Sequence, residues 1–154
     1  MFDKILYPTD FSDVAGKSIA YLKRLRAAGA REIVVLNVIH QRIIDTIGTI
    51  NSVAYFHDGR YIEDPDQAIE KLIEERKNRM APIVSELEGA GYRVKMMVRM
   101  GSPRREILQV EKEEEVSAIV IGSHGRSNMA EMLIGSVSEK VVRRCTVPVL
   151  VVKR

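Results

Sequence analysis

This 154-residue sequence predicts an α/β fold, an open five-stranded parallel sheet with helices on both faces. Three observations lead there. Short apolar runs recur along the chain, at Lys4–Pro8, Glu32–Ile39, Tyr92–Met100, Ala118–Ile121 and Val147–Val152. Segments with helical apolar spacing separate them. The second run is nearly continuous in apolar residues, the pattern of a strand buried on both faces, as parallel sheets require, and the last is apolar at nearly every position. Strands alternating with helices imply right-handed crossovers between parallel neighbours.

The elements follow in order. The first run ends at Pro8, which has no amide to continue a ladder. Ser12 is placed to cap the next helix, with Asp13 in its first turn, where an acid meets the positive end of the helix dipole. Ala15, Ser18, Ile19, Leu22 and Leu25 share one helical face, and Gly29 is the stop signal. The β-branched run at Ile33–Ile39 makes the second strand. Residues 41–65 are the least regular: Asp45, Gly48, Asn51, Asp58, Gly59, Asp64 and Pro65 interrupt any period, so an irregular excursion is expected there. Helical spacing resumes through Ile69, Leu72, Ile73, Met80, Ile83, Val84 and Leu87. Ser102-Pro103 opens the next helix in the favoured order of cap then proline. Glu111–Glu115 reads as the solvated end of that helix. Gly122 stops the fourth strand, a loop runs to Gly135, and a helix from Ser136 to Cys145 leads to the last strand, with Cys145 as a small buried hydrophobe.

Composition excludes several classes. One Cys cannot form an internal disulfide or a multi-cysteine zinc site. No apolar run approaches the ~20 residues of a membrane span, and the first residues lack a signal-peptide layout; a cytoplasmic setting is the expectation. A net charge of +3 fits an anionic ligand without arguing for nucleic acid, and aromatic residues at 5% supply no stacking platform.

Ligands of open parallel sheets bind at the carboxyl ends of the strands. The loop after the fourth strand is the informative one: Gly122-Ser123-His124-Gly125, nine residues, then Gly135-Ser136-Val137-Ser138. Glycines let the backbone approach a ligand closely, and successive amides can form an anion-binding concavity. Gly135-Ser136 opens a helix whose free amides suit a phosphate. Ser136, Ser138 and Arg126 add donors. On spacing alone, a plain glycine turn with a serine cap has an equal claim. Neither a P-loop nor a G-x-G-x-x-G turn after the first strand is present. His124 has no acid to orient it and reads as a loop donor rather than a general base.

The spacing G-x2-G-x9-G-[ST], carried in full by Gly122, Gly125, Gly135 and Ser136, resembles the nucleotide-binding signature of the universal stress protein family, in its ATP-binding branch. Pro8-Thr9-Asp10-Phe11-Ser12 is similar to the family's P-x-D-x-S opening, Gly101-Ser102-Pro103 to its G-x-P turn, and Cys145–Val152 to its last strand. The second strand has Asn37 where the family often has His, a difference expected to bear little on binding. The resemblance implies a Rossmann-like sheet of the adenine nucleotide alpha hydrolase kind, as a single domain. It implies ATP as cofactor, with Mg²⁺ or Mn²⁺ bound through the phosphates. Asp10, beside Pro8 and Thr9, would lie against adenine near Val38, and Met100 and Gly101 would line the ribose. Gly122, Ser123, His124, Gly125, Arg126, Gly135, Ser136, Val137 and Ser138 would surround the phosphates. The function implied is a nucleotide-dependent sensor or switch in stress response with slow or no hydrolysis. Alternatives are a genuine ATPase or nucleotidyl-transfer enzyme, and an interaction module with a vestigial site. A homodimer through the Val147–Val152 edge is the expected assembly.

Overall fold

Hydrogen bonding joins the apolar runs into one parallel sheet. In the computed structural model, residues 2–59, 64–123 and 134–153 are described. The strands are β1 (Lys4–Pro8), β2 (Glu32–His40), β3 (Arg93–Gly101), β4 (Ala118–Gly122) and β5 (Val149–Val152). The helices are α1 (Asp13–Ala27), α2 (Gln41–Asp58), α3 (Pro65–Gly89), α4 (Pro103–Glu113) and α5 (Ser136–Arg144). The strand order is β3-β2-β1-β4-β5, parallel throughout. Chain order reverses direction between β1 and β4, so a crevice opens above their carboxyl ends.

Alternation along the strands supplies two cores. Ile5, Tyr7, Ile33 and Val35 face Leu22 of α1 and Met80 and Leu87 of α3. Leu6, Val34, Leu36, Ile119 and Ile121 face Ile107 and Val110 of α4 and Val141 of α5. Burial of these aliphatic side chains at roughly 25 cal/mol per Å² is the main force holding helices on both faces. The phenol of Tyr92, just before β3, donates to the Leu22 carbonyl at 2.5 Å, and burial pushes its pKa up to about 12.

Residues 41–58 are helical, which corrects the expected irregular excursion. Asp45, Gly48 and Asn51 lie inside the helix, and the hydroxyl residues among them turn back onto its backbone. Hydroxyls of Thr46, Thr49 and Ser52 donate to the carbonyls of Arg42, Asp45 and Gly48, each four residues back. Further on, Asp64 caps α3 by accepting the Asp66 amide, and Pro65 takes the first helical position, where its missing donor costs nothing. Signals that looked like breakers are the start of the next helix.

A second correction concerns Glu111–Glu115. Glu111 is only 2% exposed, and its Oε1 accepts both the amide and the hydroxyl of Thr146 at 2.6 Å. It ties α4 to the turn entering β5. Glu114, its side chain 12% exposed, bridges Lys4 at 2.8 Å and Lys95 at 2.5 Å. Those two lysines hold its carboxyl below the ordinary carboxylate range. A carboxyl with a depressed folded-state value adds stability above its unfolded value and loses it as pH falls through the folded one. Thermal midpoints measured from about pH 6 to about pH 3 are therefore expected to fall more steeply for the native chain than for Glu114→Gln. Parallel curves would refute the assignment.

The two sheet edges differ. β3 carries Arg93, Lys95 and Arg99, paired with Glu32, Glu114 and Glu113. β5 is Val-Leu-Val-Val, with Leu150 39% exposed. Charged edge strands discourage pairing, and uncharged ones invite it.

Candidate functional site

Two turns flank the crevice between β1 and β4. The first is a network of local hydrogen bonds. The Thr9 amide donates to the Leu36 carbonyl at 2.8 Å, and Asn37 Nδ2 donates to the Thr9 carbonyl at 2.8 Å. The Phe11 amide donates to Thr9 Oγ1, and the Ser12 amide to Asp10 Oδ1, both at 3.1 Å. Ser12 occupies the N-cap position of α1 but its side chain makes no cap bond. The expected serine cap is not made; instead Asp10 accepts the amide of Ser12 itself in an Asx turn that leads the chain into α1. Phe11 closes the turn with φ at +64°, a left-handed conformation that bulky residues rarely adopt.

The second turn joins β4 to α5. The Ser123 amide donates to the Val152 carbonyl at 2.7 Å, and the Gly135 amide returns to the Ser123 carbonyl at 2.6 Å. Ser138 Oγ donates to the Gly122 carbonyl at 2.6 Å. These bonds pin the start of α5 against the end of β4. Gly135 is the N-cap, and no side chain caps α5 among the described residues. The amides of the first turn therefore sit at the mouth of the crevice with the positive end of the dipole.

The sequence-predicted residues are distributed as follows. Pro8, Thr9 and Asp10 lie at the end of β1; Val38 is in β2, opposite Arg99. Met100 and Gly101 end β3, opposite Ile39 and His40. Gly122 and Ser123 end β4, and Gly135, Ser136, Val137 and Ser138 open α5. His124, Gly125 and Arg126 lie outside the described residues. At about 4.8 Å per strand, β3 stands some 14 Å from β4 (roughly three steps), so the end of β3 is the far wall of the crevice. Gly101 has φ +142°, a torsion that calls for glycine; a Cβ there would come within 2.8 Å of Glu106 Oε1, which the glutamate side chain could relieve by shifting.

Asn37 was missed as a site residue. It is 3% exposed and holds the Thr9 carbonyl, so it shapes the turn from behind. A lone amide in an apolar strand was the available signal, since a buried polar group needs a bonded partner. Cys145 is half-buried at the end of α5 rather than fully buried. Burial and then the Glu111 carboxylate push its thiol up, away from the thiolate form. Among the described residues, no group of three His, Cys, Asp or Glu side chains converges to hold a metal, and no helix is long and apolar enough to cross a membrane.

Comparison with known proteins places this geometry in a wider set. The family model for the universal stress protein family matches residues 1–153. Universal stress protein MJ0577 of Methanocaldococcus jannaschii is 40% identical over all of this chain and 96% of its own length. A solved structure of MJ0577 superposes with a TM-score of 0.83, covering 100% of this chain and 97% of that one. Universal stress protein YxiE of Bacillus subtilis is 31% identical over 99% of this chain and all of its own length. More distant structures share the fold. One is a universal stress protein in complex with cAMP (TM-score 0.60, 19% identity, 99% of this chain and 97% of that one). Another is a universal stress protein from Archaeoglobus fulgidus in complex with dAMP (TM-score 0.62, 20% identity, 99% and 98%).

Proposed function

This chain belongs to the universal stress protein family, and on that premise we propose that it is an ATP-binding, nucleotide-dependent switch with slow or no hydrolysis. The observation that carries the reading is the uncapped start of α5, bonded to the end of β4 through Gly135, Ser123, Ser138 and Gly122. A helix start of this kind, with hydroxyls beside it, suits an anionic phosphate chain. Adenine nucleotides bound by the cAMP and dAMP complexes of the fold support the choice of ligand class. His124, Gly125 and Arg126 complete the proposed phosphate site on the resemblance of the signature.

Strand order supports a reassignment of roles along the nucleotide. With phosphates at β4 and α5, the next strand is β1 and then β2 and β3. A linear nucleotide laid across that order sets the ribose over Asp10, whose carboxylate suits sugar hydroxyls. The base then reaches Val38 of β2 and Met100 and Gly101 of β3. This keeps Val38 at the base and differs from the placement implied by the resemblance in setting Asp10 at the ribose and Met100 and Gly101 at the base. A divalent Mg²⁺ or Mn²⁺ would be held by the phosphates and would neutralise their charge when bound. Nearby acids are engaged: Asp10 Oδ1 accepts the Ser12 amide, and Glu139 pairs with Arg143. That favours a switch over an efficient hydrolase.

The uncharged β5 edge, set against the charged β3 edge, supports a twofold dimer through β5. Calorimetric titration of the purified chain with ATP, followed by a turnover assay, tests the proposal. Saturable binding with turnover well below ~1 s⁻¹ is the expected result. No binding would overturn it, and turnover above that rate would favour the enzyme alternative.

A further inference from the structure

The strained turn after β1 is held from outside by a residue of α3. We infer that Arg79 is a positioning residue for the nucleotide site, acting through Phe11 on Asp10. The inference rests on the proposed ATP site and extends it to a part of the fold that touches no proposed ligand.

Phe11 carries φ +64° between Asp10 and Ser12. For a residue with a Cβ this conformation is strained and persists only where surrounding contacts impose it. Two contacts do so. The ring packs on the α1–α3 core, which includes Leu22 and Met80. The Arg79 guanidinium lies over the same ring, 4.1 Å from its centroid, well within the range of a cation–π interaction. Arg79 is itself anchored. Its neighbour Met80 is fully buried against the sheet, and Glu75, one turn earlier, lies 3.8 Å from its guanidinium.

The consequence for Asp10 follows from the local bonds. The Phe11 amide reaches Thr9 Oγ1 on the near side of the turn; the Ser12 amide reaches back to Asp10 Oδ1 across the Phe11 torsions, so that bond depends on Phe11 staying left-handed. A change of Phe11 to negative φ swings the Ser12 amide away from Asp10 and removes that hold on the carboxylate. On the other side the turn is held by β2, through Leu36 and Asn37. Arg79 and Asn37 thus grip the turn from opposite ends, one through an aromatic face and one through a carbonyl.

The test compares the native chain with Arg79→Met, Arg79→Lys, Phe11→Leu and the Phe11→Leu/Arg79→Met double variant. Two readouts are taken, ATP affinity by calorimetry and amide hydrogen exchange without nucleotide. Arg79→Met is expected to weaken ATP binding about fivefold and to speed exchange of the Ser12 amide by a similar factor. Core amides such as Leu22 and Val35 stay unchanged. Arg79→Lys keeps the cation and restores most of the loss, whereas in the Phe11→Leu background Arg79→Met causes no further loss. Unchanged turn exchange in Arg79→Met, unchanged ATP affinity, or the same loss in both backgrounds overturns the inference. Faster exchange throughout the core would also overturn it, since that marks general destabilisation. If Phe11→Leu does not fold, the Met and Lys variants at 79 decide alone. Failure of the native chain to bind ATP overturns the site proposal and the positioning role with it. Failure confined to the variants overturns the positioning role only.

Discussion

Ser136→Asp is expected to weaken ATP binding about a hundredfold or more while leaving the thermal midpoint unchanged or slightly higher. Ser136 is exposed at the first position of α5, so the new side chain meets no packing constraint. An acid in the first turn of a helix is favourable by about 0.3–1 kcal/mol, so the fold gains if anything. The proposed phosphates occupy the same place. Two like charges about 4 Å apart repel by roughly 4 kcal/mol at an effective dielectric of 20, and about 2.7 kcal/mol already corresponds to a hundredfold in affinity. Ser136→Ala, which removes one hydroxyl and adds no charge, should lose only about threefold to tenfold. The pair of variants separates repulsion from loss of a donor, and opposite movement of stability and affinity separates a binding effect from misfolding. Calorimetry beside a melting curve checks it. An aspartate variant that binds ATP within about threefold of the native chain would place the phosphates elsewhere.

Glu111→Ala is the largest stability effect expected, a loss of about 3 kcal/mol, or a midpoint about 6–12 °C lower for a chain of this size. The carboxylate is almost completely buried and accepts two donors from Thr146. Its removal takes the acceptor from the Thr146 amide and hydroxyl and opens a void between α4 and the turn entering β5. The same turn gives the Pro148 carbonyl to the Ile119 amide at 2.9 Å, so loosening it also disturbs the start of the β4–β5 ladder. Glu111→Gln keeps an acceptor oxygen and should lose about 1 kcal/mol. Alanine at the neighbouring Glu115 should change stability by less than about 0.5 kcal/mol, as ordinary surface substitutions do. Denaturant unfolding of the three variants checks the order. A Glu111→Ala variant within about 1 kcal/mol of the native chain would show that the Thr146 contacts contribute little.

These two positions show where local pattern was informative and where it was not. Gly135-Ser136 was legible because the chemistry is local: a helix start, glycine freedom and hydroxyls lie within a few residues. Glu111 was not. In sequence it belongs to a charge run, and only the approach of Thr146, 35 residues away, makes it a buried acceptor. The same limit applies to α2. Its apolar residues keep helical spacing, but Gly48, Asn51 and the hydroxyl residues hid it, since those side chains bond either to the helix or to a loop. Asp10 stood out in the P-x-D-x-S opening, but its bond to the Ser12 amide did not, because Ser12 offers the ordinary cap and geometry chose the Asx turn.

By itself the sequence determined the alternation of strands and helices, the parallel sheet with both faces covered, and the glycine and serine spacing at the β4–α5 turn. These depend on side-chain period and backbone freedom, which act over a few residues. Tertiary structure alone decided the order β3-β2-β1-β4-β5, and with it which strand end stands beside the start of α5. It also decided that Glu111 is buried and that Phe11 is held left-handed under Arg79. Each of those depends on which distant segments meet, and pairing across the sheet and packing across its faces settle that, not the residues on either side in the chain.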